Sequence, residues 1–328
     1  MHHDAQMLLN LQPETPPTPA PAPVQPKLLN TKAMTVQLIT RKPTTRHNDD
    51  EAAKAARSAL GDDGITASTT LFKDNTSPIK LLLAEVGAVY LHHKKNTLPY
   101  EDRGPRLLPV TEYESYRDSM RTLIGDVQAK VQVYKNDPAK YDQAVANDVA
   151  FRNATAVSMG KAGRASPSDY PTCEQFCSAI DLDFRFKPLP DNSHWLFDVD
   201  EEDKRALVAG QMDVYYTALA DLRARIESPL VKLAETLRVQ PGTDEVTGKR
   251  VGIFRDTTVT NVMDAVQQAR SLCMGDESIL AACDAVEAAL PKTITDNIDV
   301  LRESPVVREQ AARRLADVAS KMGAFFGG

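Results

Sequence analysis

Long apolar runs are missing from this chain of 328 residues. None approaches the ~20 residues that a membrane-spanning helix needs. Residues 1–17 carry neither the basic start nor the long apolar stretch of a secretory signal, so the expected location is the cytoplasm. Cysteine is scarce, with four in the chain. Cys173 and Cys177 stand one helical turn apart, while Cys273 and Cys283 are too widely spaced for a zinc pair, whose ligands are separated by about two to four residues. Histidine is scarce as well, and His194 is the one histidine beyond residue 93. Buried free thiols are therefore expected, and no metal. A basic excess is also lacking: 39 Lys and Arg stand against 45 Asp and Glu, a net charge of −6. That excludes wholesale attraction to nucleic acid and leaves only a local patch.

Catalytic signatures are absent too. The Gly160-Lys161 pair has Thr155 where a phosphate loop starts with glycine, and Ala162 where it needs Ser or Thr. The acidic run at 198–203 has Asp203 and Ala209 at the positions where a calcium loop needs glycine and a bidentate glutamate. Asp198 or Asp200 as a helix cap, with Glu201 and Glu202 complementing the helix dipole, explains the acids without a metal. No Gly-x-Ser-x-Gly elbow occurs, and no cysteine adjoins a histidine. His194, beside the single Trp195, reads as structural. The expectation is a protein that is not an enzyme and needs no cofactor.

What the chain does contain is mostly helix. Residues 13–26 are a proline-alanine tract, which reads with 1–33 as a disordered, extended arm. Residues 34–76 read as a strand near Val36 and Leu38 followed by a partly ordered linker, and residues 77–328 as a helical domain. Its first helix starts with Ser77 as cap and Pro78 at the first helical position. Helices over 111–135 and 139–163 follow, with Asp137 before Pro138 as a start signal. Residues 180–199 alternate Leu182, Phe184 and Phe186 with Asp183, Arg185 and Lys187, turn through 188–193, and resume at Trp195, Phe197 and Val199, a hairpin pattern. Next comes the longest helix. Its apolar positions run from Val208 to Leu237 in alternating steps of four and three, a heptad seam that predicts self-association or an intramolecular partner such as 111–135 or the C-terminal helix. Pro229 predicts a kink or break in it. Helices over 261–272, 277–290 and 305–322 complete a mainly α fold with a long kinked helix and a small β-hairpin or sheet.

Candidate functional residues are basic and aromatic. At 90–109 a hydrophobic helix ends in His92, His93, Lys94 and Lys95, and Tyr100, Arg103 and Arg106 follow. Cations at a helix C-terminus gain from its dipole, but that does not account for Tyr100, Arg103 and Arg106. In a glycine-flanked loop at 248–256, Lys249, Arg250 and Arg255 surround Phe254; an exposed ring there stacks on a base, and an inward one joins the core. Arg41, Lys42 and Arg46 form a third basic segment. Separated cations with flat rings suit a single strand of nucleic acid.

The order of a basic helix end, TLPYEDRGPRLLP and a helix starting TEYESY, then SDYPTCEQF, FRFKPLPD and a long helix, resembles an uncharacterised group of mainly helical phage proteins. Some members of that group are encoded near AAA+ ATPases. The plan is also similar to the single-stranded-DNA-binding RNA polymerase cofactors of schitovirus-type podophages. The resemblance covers roughly residues 70–230 and carries over no catalytic residue. It implies a single-stranded-DNA-binding accessory protein of transcription or replication, homo-oligomeric, in the host cytoplasm, with RNA polymerase or a replication protein as partner. The alternative is a helical adaptor for another protein such as an AAA+ ATPase. Unlike phage single-strand binders with an acidic tail, the chain ends KMGAFFGG.

Overall fold

A computed structural model describes residues 29–101, 104–189, 200–239, 242, 243, 250, 251 and 255–325. The fold is mainly α with a small antiparallel sheet. After one helical turn, Leu29–Lys32, strand β1 (Ala33–Arg41) enters the centre of that sheet. Residues 46–70 hold a short ladder of β2 (Arg46–Asn48) with β3 (Ser68–Thr70) and, between them, helix α1 (Asp50–Leu60). Helix α2 (Pro78–Lys95) leads through β4 (Leu98–Pro99) and β5 (Arg106–Pro109) into α3 (Tyr113–Asn136) and α4 (Pro138–Ser158). Short α5 (Cys173–Ser178) precedes β6 (Asp181–Pro188).

The run 182–186 forms the expected strand, and its partner is β1, which it follows in antiparallel register from Met34 opposite Pro188 to Arg41 opposite Asp181. The second arm expected for a hairpin, residues 190–199, lies outside the described residues. Strand order is β4-β5-β1-β6. The period of two sorts the sheet's side chains between two cores. Met34, Val36 and Leu38 of β1, Leu108 of β5, and Leu182, Phe184 and Phe186 of β6 face the core of α2, α3 and α4. Ala33 and Leu107, on the opposite face, join the core of the C-terminal helices.

That second core is built on α6 (Glu201–Arg238), with α7 (Asp256–Leu272), α8 (Glu277–Ala289) and α9 (Pro305–Phe325) against it. Helix α6 runs unbroken through Pro229, so no break divides it. Asp200 caps it, accepting from the amides of Glu202 and Asp203 at 2.9 Å each. Ser77 occupies the cap position of α2, but its hydroxyl is buried without a hydrogen-bond partner; Pro78 at the first helical position gives up only an amide that would be unpaired there. Helix α7 begins five residues earlier than expected: Asp256 to Thr260 are poor helix formers apart from their packing, and Val259, buried one turn before Val262 and Val266, ties the first turn to the core.

In the first core, buried Asp148 accepts from the amides of Phe72 (2.9 Å) and Asp74 (3.2 Å) and from the Tyr170 hydroxyl (2.5 Å). Those bonds hold Phe72 at φ 53°, a left-handed conformation a bulky residue rarely adopts, with its ring fully buried against Tyr170 and Phe176.

Candidate nucleic-acid interface

The basic helix end at 92–95 divides into two kinds of residue. Lys94 and Lys95 are exposed on the last turn of α2. His92 and His93 turn inward, His92 Nε2 meeting Ser119 Oγ at 2.8 Å and His93 Nδ1 meeting Tyr116 Oη at 2.7 Å. Burial, with Arg106 and His92 nearby, pulls the His93 imidazole down to about 4, and burial also lowers His92. Both rings are therefore neutral at pH 7 and add nothing to a basic patch.

Arg106 is committed to the fold. Its Nε donates to Thr97 Oγ1 at 2.7 Å and an Nη to the Thr97 carbonyl at 3.1 Å. Burial and the neighbouring Arg225 disfavour its charge. Arg225 of α6 fills the carbonyl end of α2, donating to the carbonyls of Lys95 (2.7 Å), Lys94 (3.2 Å) and Thr97 (2.8 Å). It keeps Asp221 at 2.7 Å as counter-ion. Tyr100 is half-buried against the C-terminal core. Arg103, Lys249 and Phe254 lie outside the described residues. Arg250 is in a short strand opposite Thr243, and Arg255 is exposed just before α7.

These segments do not converge at Lys95 and Arg255. The side-chain amide of Gln268 reaches the Lys95 carbonyl, and thirteen residues of α7 separate Gln268 from Arg255, about 20 Å at 1.5 Å per residue. Arg41 and Lys42 are exposed at the far end of β1, with Arg41 Nε 4.0 Å from the Asp181 carboxylate.

A different group of cations and rings does converge. Tyr113, Arg117, Arg121 and Gly125 recur every four residues along one face of α3, with Gln128 one turn on. Across an open groove of about 390 Å³ stand Leu182, Asp183, Phe184 and Phe186 of β6, one of the two edge strands of the described sheet. Tyr113 meets Phe186 edge-on, ring centroids 4.8 Å apart, and the Arg117 guanidinium lies 5.4 Å from the centre of the Tyr113 ring. Arg117 also donates to Asp118 at 2.8 Å. Arg121 is exposed. Below, Tyr116 packs edge-on against Phe184 and Phe186 at 6.1 and 6.0 Å and fixes the strand's rings from the core side. A Cβ on Gly125 would meet no atom within 4 Å, so its missing side chain leaves room in the groove.

The arrangement offers fixed ring edges, two guanidinium groups and one carboxamide. Arg117 and Arg121 escape a search for clustered basic residues because four positions separate them. The signal that could have found them is the four-residue spacing of TEYESYRDSMRTLIG, read against the alternating phenylalanines of β6. Among the described residues, no group of three His, Cys, Asp or Glu side chains is placed to hold a metal ion, and no helix is long and apolar enough to cross a membrane. The four cysteines are free; Cys173 and Cys177 sulfurs lie 3.9 Å apart. Comparison with known protein families, curated proteins and solved structures gave no match.

Proposed function

We propose that this protein is a non-catalytic, single-stranded-DNA-binding accessory protein of phage transcription or replication, and that the strand is gripped in the groove between α3 and β6. The observation that carries the reading is the pairing of Arg117 and Arg121 with Tyr113, Phe184 and Phe186 in one open cleft. Guanidinium groups meet phosphates, and aromatic side chains offer sequence-tolerant contacts to bases. Lys94 and Lys95 add charge at the end of α2, and Arg255 just before α7. Because the whole chain carries −6, binding depends on this local field and weakens steeply with salt.

Mobility shift with single-stranded oligonucleotides at several salt concentrations tests the proposal. Affinity should fall with log salt at a slope of about −0.7 per phosphate contacted, and single strand should bind tighter than duplex of equal length. Gly125→Leu is the sharpest variant. It replaces a helix-interior glycine that costs roughly 1 kcal/mol relative to better helix formers, so the fold tolerates it, while its side chain fills the groove. Unchanged affinity in a folded Gly125→Leu protein would remove the groove from the site.

A helical adaptor is the second reading, and the first part of α6 favours it. Every position from Glu202 to Gly210 whose burial is described is exposed, Val208 among them. An AAA+ ATPase is the kind of partner that the resemblance brings with this reading. A chain that shifts no oligonucleotide at low salt, yet gains mass in light scattering with such an ATPase, would replace the first reading with this one.

A further inference from the structure

A second cavity lies in the first lobe, and strand binding makes no use of it. The first turns of α2, the last two turns of α3 and the first three turns of α4 enclose it, with a volume of about 440 Å³ and a mostly apolar lining. Small-molecule sites have this character and span roughly 300–1,000 Å³. Leu82, Tyr134 and Ala144 bring buried apolar surface to it, while Val133, 45% exposed, and Pro78 keep apolar surface open to water. The polar groups that line it are Lys130, Lys140, Gln143 and Asn147, cations and carboxamides without a carboxylate. Each lysine has an acid nearby, Lys130 with Glu85 and Lys140 with Asp137 at 3.6 Å. Both pairs are exposed to solvent, where such pairs contribute little, so either ammonium can turn to a ligand. Gln143 Nε2 donates to Asn147 Oδ1 at 2.9 Å, which leaves Asn147 Nδ2 to donate elsewhere. Pro78 opens α2 and Lys140 is third in α4, so the positive ends of two helix dipoles flank the same cavity.

We infer that this cavity binds a small amphiphilic carboxylate, a free acid with an aliphatic tail. The tail covers the apolar surface of Leu82, Val133, Tyr134 and Ala144, and the head accepts charge-assisted hydrogen bonds from Lys130 and Lys140. A neutral head of the same reach keeps the burial and loses those bonds. A cationic head meets two ammonium groups and two dipole ends of its own sign. The cavity shares no lining residue with the groove between α3 and β6, so it stands or falls independently of strand binding.

Decanoate, decanol and decyltrimethylammonium share a tail and differ in the charge of the head. Isothermal titration, kept below the concentration at which decanoate forms micelles, should give one decanoate per chain, bound roughly tenfold tighter than decanol, with the ammonium weakest. Val133→Asn removes exposed apolar surface from the cavity without adding charge, so it should weaken decanoate by roughly fivefold and leave the urea midpoint unchanged. Lys130→Gln combined with Lys140→Gln should bring decanoate to the level of decanol. Equal binding of decanoate and decanol to the wild-type protein overturns the anionic head. Decanoate binding that is unchanged in folded Val133→Asn overturns the site. Absence of saturable decanoate binding overturns the whole inference and leaves strand binding, tested by mobility shift, untouched.

Discussion

His93 shows what a single buried titratable ring does to stability. It lies 4% exposed beneath the end of α2, bonded to the Tyr116 hydroxyl, and its folded value of about 4 is well below the ordinary 6.5. Between those values the unfolded chain binds the proton and the folded chain does not. Stability from this group is complete above pH 6.5 and is lost as pH falls toward 4, by roughly 3 kcal/mol across that window. Urea unfolding at neutral pH and at mildly acid pH should therefore differ more for wild type than for His93→Gln, which retains a partner for Tyr116 but does not titrate. An identical acid loss in both proteins would assign the effect to other groups. Arg225 is the second residue of this kind. Three charge-assisted bonds from another lobe's helix, two to the last carbonyls of α2 and one to Thr97 just beyond it, satisfy groups that a helix end leaves without partners. Arg225→Ala should cost about 2–3 kcal/mol in urea unfolding, and Arg225→Lys should recover little, since one ammonium cannot reproduce the planar fork. Arg308 repeats the device, donating to the carbonyls of Leu237, Thr236 and Val239 at the end of α6.

Helix α6 has two halves with different fates. Leu222, Ile226, Leu230 and Leu233 are fully buried against α7 and α9, whereas Val208 is 49% exposed. The heptad spacing is continuous through both, so spacing does not say where the stripe is covered. The C-terminal half is an intramolecular seam. Leu230→Ala should destabilise the monomer by about 2–5 kcal/mol, as for any large-to-small change in a packed core. Val208→Asp should change stability by no more than about 0.5 kcal/mol. A loss of mass in light scattering on Val208→Asp would instead mean that a second copy covers the exposed half. Pro229 leaves the Arg225 carbonyl without its helical donor, yet packing on both sides of that turn keeps the helix in one piece.

At the scale of the whole molecule, the sheet is a shared wall. Leu107 and Leu108 are neighbours on β5, and each is fully buried in a different core. Losing either core strips one face of the same strand, so the two lobes should unfold together. Calorimetry and far-UV circular dichroism are expected to report one coincident transition, the mark of two-state behaviour. Two separated transitions would show that the wall is not shared energetically. The same architecture brings β6 alongside α3 and so creates the groove, which joins residues some sixty positions apart in the chain.

The sequence alone determined the long helices and the first strand arm, because periods of 3.6 and 2 and caps such as Asp200 are local properties, whereas Asp50–Leu60 and Leu29–Lys32, read as linker and disordered arm, are helical. It also determined that α6 is long and amphipathic, and that β6 alternates phenylalanine with charge. Only the tertiary structure decided what those elements meet. The partner of 182–186 is β1, some 150 residues earlier, since strand pairing depends on which edge the fold brings near. Histidines and an arginine that read as a basic surface turned inward at His92, His93 and Arg106, because a helix end buried between two lobes needs hydrogen bonds there more than it needs exposed charge. The arginines of the groove, Arg117 and Arg121, look like an ordinary solvated helix face until β6 supplies the opposite wall.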